Sequence, residues 1–463
     1  MIVQRQRQRE LLKRNPLKYE SLLIKGGGVI DPANGVDGVQ DILIRKGKIA
    51  AIGKLNVPQA VCARAKGIAK TQPLKNRRDE VIDASRLIVA PGLIDMHVHL
   101  REPGREDEET IDSGSRAAAN GGFTSIACMP NTQPVADSAD VIKMILNRAK
   151  SCGLVNVHPI ASITKNLSGE ILTDIPRLLK AGSVAFSDDG KTVMNAELMR
   201  QALILSAKYN FPVIAHCEDP NLSAGGVMNS GKISEKLNLP GIPNCAEEVI
   251  VARDIILAEA TGGHIHIAHV STSGSVRLIR EAKRRGVKVT AEATPHHFTL
   301  TEAAVEKYGA NAKMNPPLRA QADVDAVIEG LCDGTIDAIA TDHAPHAAFE
   351  KEKGVLKAHF GIIGLETCVP LVITQLVESG RLTLPEAIAK LTYIPADIIN
   401  LSRGTLSVGA TADITLIDPQ KDAKVDLNTY ESKSRNTPFA GWTLRGWPVM
   451  TIVDGRIVAN SGL

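Results

Sequence analysis

Short apolar runs alternate with longer stretches of helical periodicity through the middle of the chain. Runs at 93–100, 123–130, 155–163, 183–189, 212–217, 264–270, 288–295 and 337–345 read as strands. Successive runs are separated by enough chain for a helix, and the gap after 183–189 holds one from Ala196 to Tyr209. A repeating strand–helix order predicts parallel sheet. Eight such units predict an α/β fold closed into a (β/α)8 TIM barrel, with its chemistry at the C-terminal ends of the strands. An open doubly wound sheet is the alternative. It would want a Gly-rich phosphate turn after its first strand, and none is present.

The flanks follow a different pattern. Leu22-Leu23-Ile24, Asp41-Ile42-Leu43-Ile44 and Ile49-Ala50-Ala51-Ile52 are separated by Gly-Gly-Gly, Pro-Ala-Asn-Gly and Lys-Gly-Lys turns. Ala412 to Ile417 and Val449 to Gly455 repeat that style. Short strands with tight turns predict antiparallel structure, and both ends combine into one small β-sandwich domain beside the barrel. The expected division is a flexible tail at 1–19, the small domain at 20–90 and 401–463, and the barrel at 91–400.

Composition changes this picture little. At 463 residues the chain suits one large domain with a smaller one, and 44% hydrophobic content excludes global disorder. A net charge of +3 is too small to imply a nucleic-acid partner. The basic tail (Arg5, Arg7, Arg9, Lys13, Arg14) and the stretch from Arg64 to Arg78 read as solvated surface. No apolar stretch reaches the roughly 20 residues of a membrane span. No apolar segment follows the N-terminal charges as in a secretory signal. Seven cysteines without CxxC spacing suit free thiols in a reducing compartment, so a cytoplasmic protein is expected.

The candidate chemistry sits at the predicted strand ends. His97 and His99 are one residue apart at the end of an apolar strand, so both imidazoles face one side. Imidazole is the commonest protein metal ligand. Asn131, Asp189, His216, His269 and Asp342 fall at the ends of later strands. A lone Asp342 would read as a turn residue; in company with four placed histidines it reads as a ligand and proton carrier. His264 and His266 lie deeper in their strand and read as structural. Asp188 and Asp189 are adjacent and face opposite ways, so only one can enter the site, and spacing does not choose between them.

These residues lie in a series of motifs. Pro91-Gly92-Leu93-Ile94-Asp95-Met96-His97-Val98-His99-Leu100-Arg101-Glu102-Pro103-Gly104 resembles the first signature of the class I dihydroorotases, of the amidohydrolase superfamily. Ala340-Thr341-Asp342-His343-Ala344-Pro345-His346 resembles the second. Between and beyond them, in family order, stand Met129-Pro130-Asn131-Thr132, Phe186-Ser187-Asp188-Asp189-Gly190, Ala215-His216-Cys217-Glu218-Asp219, His269-Val270-Ser271-Thr272, Lys313 to Arg319 and Phe360 to Thr367. The resemblance runs from about residue 20 to the end.

The resemblance implies a zinc enzyme, with one or two Zn2+ per subunit, that interconverts N-carbamoyl-L-aspartate and L-dihydroorotate in pyrimidine (UMP) synthesis. His97, His99 and Asp342 would hold one ion and His216 and His269 a second. Asp189 would bridge them, where most of the superfamily uses a carboxylated lysine; Lys191 is the nearby lysine alternative. Arg101, Asn131 and His346 would hold the substrate carboxylate. Asn315, His99 and the backbone at Phe360 and Gly361 would supply the remaining substrate contacts. A metal-bridging hydroxide is the implied nucleophile and Asp342 the general acid/base. The alternatives are another cyclic amidohydrolase, such as a hydantoinase or allantoinase, and an inactive scaffold for aspartate transcarbamoylase. That enzyme is also a candidate partner of an active form, and a homo-oligomer is expected. Residues 1–19 and an insertion from Pro58 to Lys75 depart from the family pattern without touching a motif.

Overall fold

The computed structural model describes residues 21–55 and 79–461. The tail at 1–19, the 58–75 insertion and Cys62 lie outside the described residues. The chain opens with β1 (Ser21–Asp31), β2 (Val36–Arg45), β3 (Lys48–Gly53), β4 (Asp79–Asp83) and β5 (Ile88–Pro91). The barrel strands follow: β6 (Leu93–Val98), β7 (Phe123–Cys128), β8 (Asn156–Pro159), β9 (Phe186–Ser187) and β10 (Pro212–Ala215). A two-stranded excursion, β11 (Met228–Asn229) with β12 (Gly241–Ile242), precedes β13 (His264–Ile267), β14 (Val289–Ala293) and β15 (Ala338–Ile339). The chain ends with β16 (Ile414–Lys424), β17 (Thr443–Val453) and β18 (Arg456–Asn460).

The eight middle strands run parallel in two arcs, β6-β7-β8 and β9-β10-β13-β14-β15. Single parallel bridges join the arcs, Ala161 with Phe186 at one seam and Val98 with His343 at the other. The sheet therefore closes into the expected barrel. Small side chains (Ala127, Ala185, Ala268, Ala338, Ala340) let its interior close around Met96, Met129, Ile160 and Ile214. Helices on the outside bury the other strand face, with Phe123, Phe186, Phe211 and Leu331 in their shared core.

Each observed barrel strand is shorter than its apolar run. At β9 the ladder stops at Ser187, because the Asp188 carboxylate folds back to accept the backbone N–H groups of Ile163 (2.8 Å) and Thr164 (3.0 Å). The residues that extended the runs lie just past the ladders, on bends. Two of them, His269 (φ 35°) and Asp342 (φ 45°), together with Arg101 (φ 59°) just after the first run, have left-handed backbones. For residues other than glycine that conformation costs roughly 1–3 kcal/mol and clusters at functional sites.

Both chain ends share one sheet, in the order β18-β17-β16-β5-β1-β2-β3 with β4 also on β1. It is mixed, where turn patterning predicted antiparallel pairing throughout. β1 and β2 form the expected hairpin, which occupies one edge of β1. β4 and β5 return from a long crossover and pair with its other edge in parallel. A connection of a dozen or more residues permits that direction, and tight turns do not reveal it.

Candidate active site

Six side chains from five strand ends meet at one mouth of the barrel. The Asp189 carboxylate lies at their centre. Its Oδ1 is 3.4 Å from His97 Nε2 and 3.6 Å from both His216 Nδ1 and His269 Nε2, and its Oδ2 is 3.4 Å from His99 Nε2. Asp342 Oδ1 stands 3.1 Å from His99 Nε2 and 3.5 Å from His97 Nε2. All six are buried. Asp188, pinned to the backbone, points away, so the choice that spacing left open falls to Asp189. Lys191 is solvent-exposed.

The cluster fits a metal ion. His97 Nε2 and Asp189 Oδ1 are buried with no hydrogen-bond partner. Such orphaned polar atoms are rare in folded proteins and call for a bound group. Two triads, His97–His99–Asp342 and His97–Asp189–His269, keep their donor atoms within 4.8 Å of one another. Ligands about 2.0–2.1 Å from a tetrahedral ion stand about 3.3 Å apart, close to the separations here. Electrostatics agree. Burial alone would neutralise these groups, yet Asp189, Glu292 and Asp342 hold the His97 imidazole well above its ordinary pKa. Burial likewise opposes the ionised Asp189, but His97, His216 and His269 hold it well below the usual carboxylate range. Both shifts mark a place that favours positive charge, as a bound cation would supply.

Outer partners set the ring orientations. Glu292, on β14, lies 2.6 Å from His97 Nδ1 and 3.2 Å from His266 Nε2. An Nδ1–H donated to that carboxylate leaves Nε2 facing the cluster. His266 in turn meets Thr290 (2.9 Å), as does His264 (2.8 Å), so both are structural residues of the strand. His99 Nδ1 lies 2.9 Å from Asn131 Oδ1. That contact frees the Asn131 amide nitrogen for another partner.

The remaining expected residues ring the cluster. Arg101 Nε donates to the Pro345 carbonyl (3.2 Å) and pairs with Glu108 (3.2 Å), and its guanidinium reaches within 3.4 Å of His346 Nε2. His346 Nδ1 is 2.8 Å from Glu108 Oε1 and its Nε2 2.7 Å from the Phe360 carbonyl. Burial, with Arg101 and Lys351 nearby, keeps the His346 ring below its ordinary pKa. Asn315 Nδ2 donates to Glu218 (2.5 Å) and lies 3.4 Å from His216 Nε2, with its Oδ1 buried and unpartnered. Gly361 needs its φ of 127° and its missing side chain; a Cβ there would meet Ala344 Cβ at 2.6 Å and His346 Nε2 at 3.2 Å.

Sequence reasoning missed Glu292, Glu108 and Asn436. Glu292 carried a signal, a lone acid inside the apolar run 288–295. Asn436 carried none. It accepts from the His346 N–H (3.1 Å) and donates to the carbonyls of Ala344 and Gly361 (3.0 Å each).

The arrangement agrees with known proteins. A dihydro-orotase-like family model matches residues 85–275, and an amidohydrolase family model matches 258–459. A dihydroorotase from Syntrophus aciditrophicus is 54% identical over 439 residues, 94% of this chain and 99% of that one. A second, from Pelotomaculum thermopropionicum, is 56% identical over 94% of this chain and 98% of its own. The chain belongs to the dihydroorotase family. Among solved structures, an L-hydantoinase (dihydropyrimidinase) from Arthrobacter aurescens superposes with a TM-score of 0.81 at 26% identity, covering 96% of both chains. A dihydropyrimidinase from Brevibacillus agri, at 23% identity and TM-score 0.79 over 95% of both chains, shares the fold. Family membership makes this chain a metal-dependent cyclic amidohydrolase acting on a small molecule. Among the described residues no helix is long and apolar enough to cross a membrane, and the described cysteines are free.

Proposed function

We propose that this dihydroorotase-family chain interconverts L-dihydroorotate and N-carbamoyl-L-aspartate, with zinc as its metal. One observation carries the reading: an imidazole–carboxylate cluster stands beside the cationic Arg101, with the neutral His346 ring within 3.4 Å of its guanidinium, as a ring amide bearing a free carboxylate requires. His97, His99 and Asp342 would hold one ion, His216 and His269 a second, with Asp189 between them. Zinc there supplies an acidified water, whose pKa falls from 15.7 to roughly 7, and an electrophile for the ring carbonyl.

The chain's own residues do the rest. Arg101 offers a planar fork to the substrate carboxylate, and the Asn131 amide nitrogen and His346 complete that grip. Asn315, His99 and the backbone at Phe360 and Gly361 meet the ring. Asp342, held ionised by His97 and His99 against the effect of burial, is ready to take a proton from the attacking water. It then delivers that proton to the departing ring nitrogen. Ring closure runs the same transfers backwards, with Asp342 removing a proton from the carbamoyl nitrogen. Holding the carboxylate aligns the carbonyl, a positioning effect that can supply several kcal/mol.

The lining also supports dihydroorotate over a hydantoin, which lacks the carboxylate. The division into a barrel at 91–400 and a small domain from both flanks is part of the same proposal, and a separate apolar core around Ile24, Ile42 and Ile414 supports it. The test is parallel assay of dihydroorotate, hydantoin and allantoin, with metal content measured on the same sample. Turnover of dihydroorotate alone, with bound zinc, is expected. Preference for hydantoin or allantoin overturns the substrate, and zinc-free inactive protein overturns the enzyme.

A further inference from the structure

Helix Ala348–Lys351 is a single turn on the loop after β15, and its last side chain is a buried lysine, 7% exposed. Lys351 Nζ donates to the carbonyls of His359 (2.8 Å), Gly361 (2.9 Å) and Lys313 (3.3 Å). An ammonium has three N–H groups, and here each has one carbonyl. Those acceptors come from the two segments that carry Asn315 and Phe360–Gly361. The segments are also tied directly, because the Gly361 N–H donates to the same Lys313 carbonyl (2.9 Å). On the far side of the turn, Glu350 accepts from Arg105 (2.7 Å) and the Ala347 N–H (3.1 Å). The turn is therefore anchored to the first-strand loop while its lysine grips the opposite wall.

We infer that Lys351 is a positioning residue for the substrate: its ammonium fixes the 359–361 backbone against Lys313, so that Phe360, Gly361 and Asn315 present one geometry to the ring. The inference rests on the dihydroorotase reading and adds a residue to it. Apolar side chains could fill this space, but only a donor of three hydrogen bonds can hold three carbonyls at one point. Lys351 donates to three backbone carbonyls and to none of the six residues of the metal-capable cluster, so its loss should spare the proton transfers and loosen the wall.

The test compares zinc-loaded wild type with Lys351→Met and Lys351→Ala. Losing hydrogen bonds from a charged donor should raise KM for dihydroorotate by about 10–50-fold, with kcat and zinc content within about twofold of wild type. Hydrogen exchange of the 358–363 amides should accelerate, and millimolar propylammonium should lower the raised KM of Lys351→Ala. A merely structural lysine predicts a lower Tm with kcat falling alongside, and no rescue by amine; that result overturns the inference. So does wild-type KM with unchanged exchange. If neither variant folds, Lys351→Gln keeps one neutral donor group and should give an intermediate KM, and a wild-type KM there is equally fatal. Should the wild type not act on dihydroorotate, the substrate reading fails by itself, and the exchange measurement still judges the latch.

Discussion

At the scale of single residues, the site separates groups that touch the reacting atoms from groups that aim them. The proposed mechanism puts Asp342 in the first kind. On the proposed reading, Asp342→Ala should keep much of the metal through His97, His99 and Asp189, yet lower turnover by about 10²–10⁴-fold, the usual worth of a placed proton carrier. Near-normal kcat in that variant would remove Asp342 from the proton path. Arg101→Ala should act mainly on KM, by about 10–100-fold for a charge-assisted contact; an unchanged KM counts against it as the carboxylate clamp. Glu292→Gln tests the aiming role. Outer partners of this kind carry about 10–100-fold in metal affinity or activity, so zinc titration should weaken while dihydroorotate binding to the zinc-saturated protein stays unchanged. The metal-capable residues were legible in the sequence because barrel topology sends every strand end to one mouth. Glu108 and Asn436 were not, because a residue that orients another from a distant segment leaves no periodicity.

At the scale of elements, the strand tips matter more than the strands. The apolar runs located all eight barrel strands, yet apart from His97 inside β6 the ladders end before the functional residues, which hydrogen bonds such as Asp189 N–H to Ser187 Oγ (3.0 Å) hold in place. His269 and Asp342 sit there with positive φ, a conformation no hydropathy pattern encodes. Direction in the flanking sheet was lost for a related reason: β4 and β5 choose an edge of β1 by what is vacant, and tight turns speak only for hairpins. Helix starts are fixed by side-chain caps. Thr110 opens helix Ile111–Asn120, its hydroxyl accepting the Ser113 N–H at 3.0 Å while Ser113 Oγ accepts the Thr110 N–H at 3.0 Å. Thr110→Ala should lower stability by about 1 kcal/mol, a drop of a few degrees in Tm, with dihydroorotate turnover at low temperature unaffected.

At the scale of the whole molecule, a buried carboxyl joins three distant parts of the chain. Glu366 accepts from Asn120 at the end of the first barrel helix (2.7 Å) and from the N–H groups of Glu431 (3.0 Å) and Ser432 (3.3 Å). Burial pushes it up to about 7 from an ordinary 4.5. The folded state therefore keeps the proton that the unfolded chain releases above about pH 4.5. The contribution of this group to stability falls as pH rises from about 4.5 to about 7 and then levels off, by an amount on the order of 3 kcal/mol. Glu366→Gln should flatten the decline of Tm between pH 5 and pH 8; an equally steep decline would place its origin elsewhere. The same segment continues through Ser432, whose hydroxyl donates to Glu109 (2.5 Å), to Asn436 against His346 and Gly361. The six residues of the proposed metal cluster all lie at or before position 342, whereas this brace lies almost a hundred residues later in the chain. The proposed ligands and the brace that finishes the substrate recess are thus separate stretches of sequence, so a change in the C-terminal brace can reshape the choice of ring compound without touching a ligand.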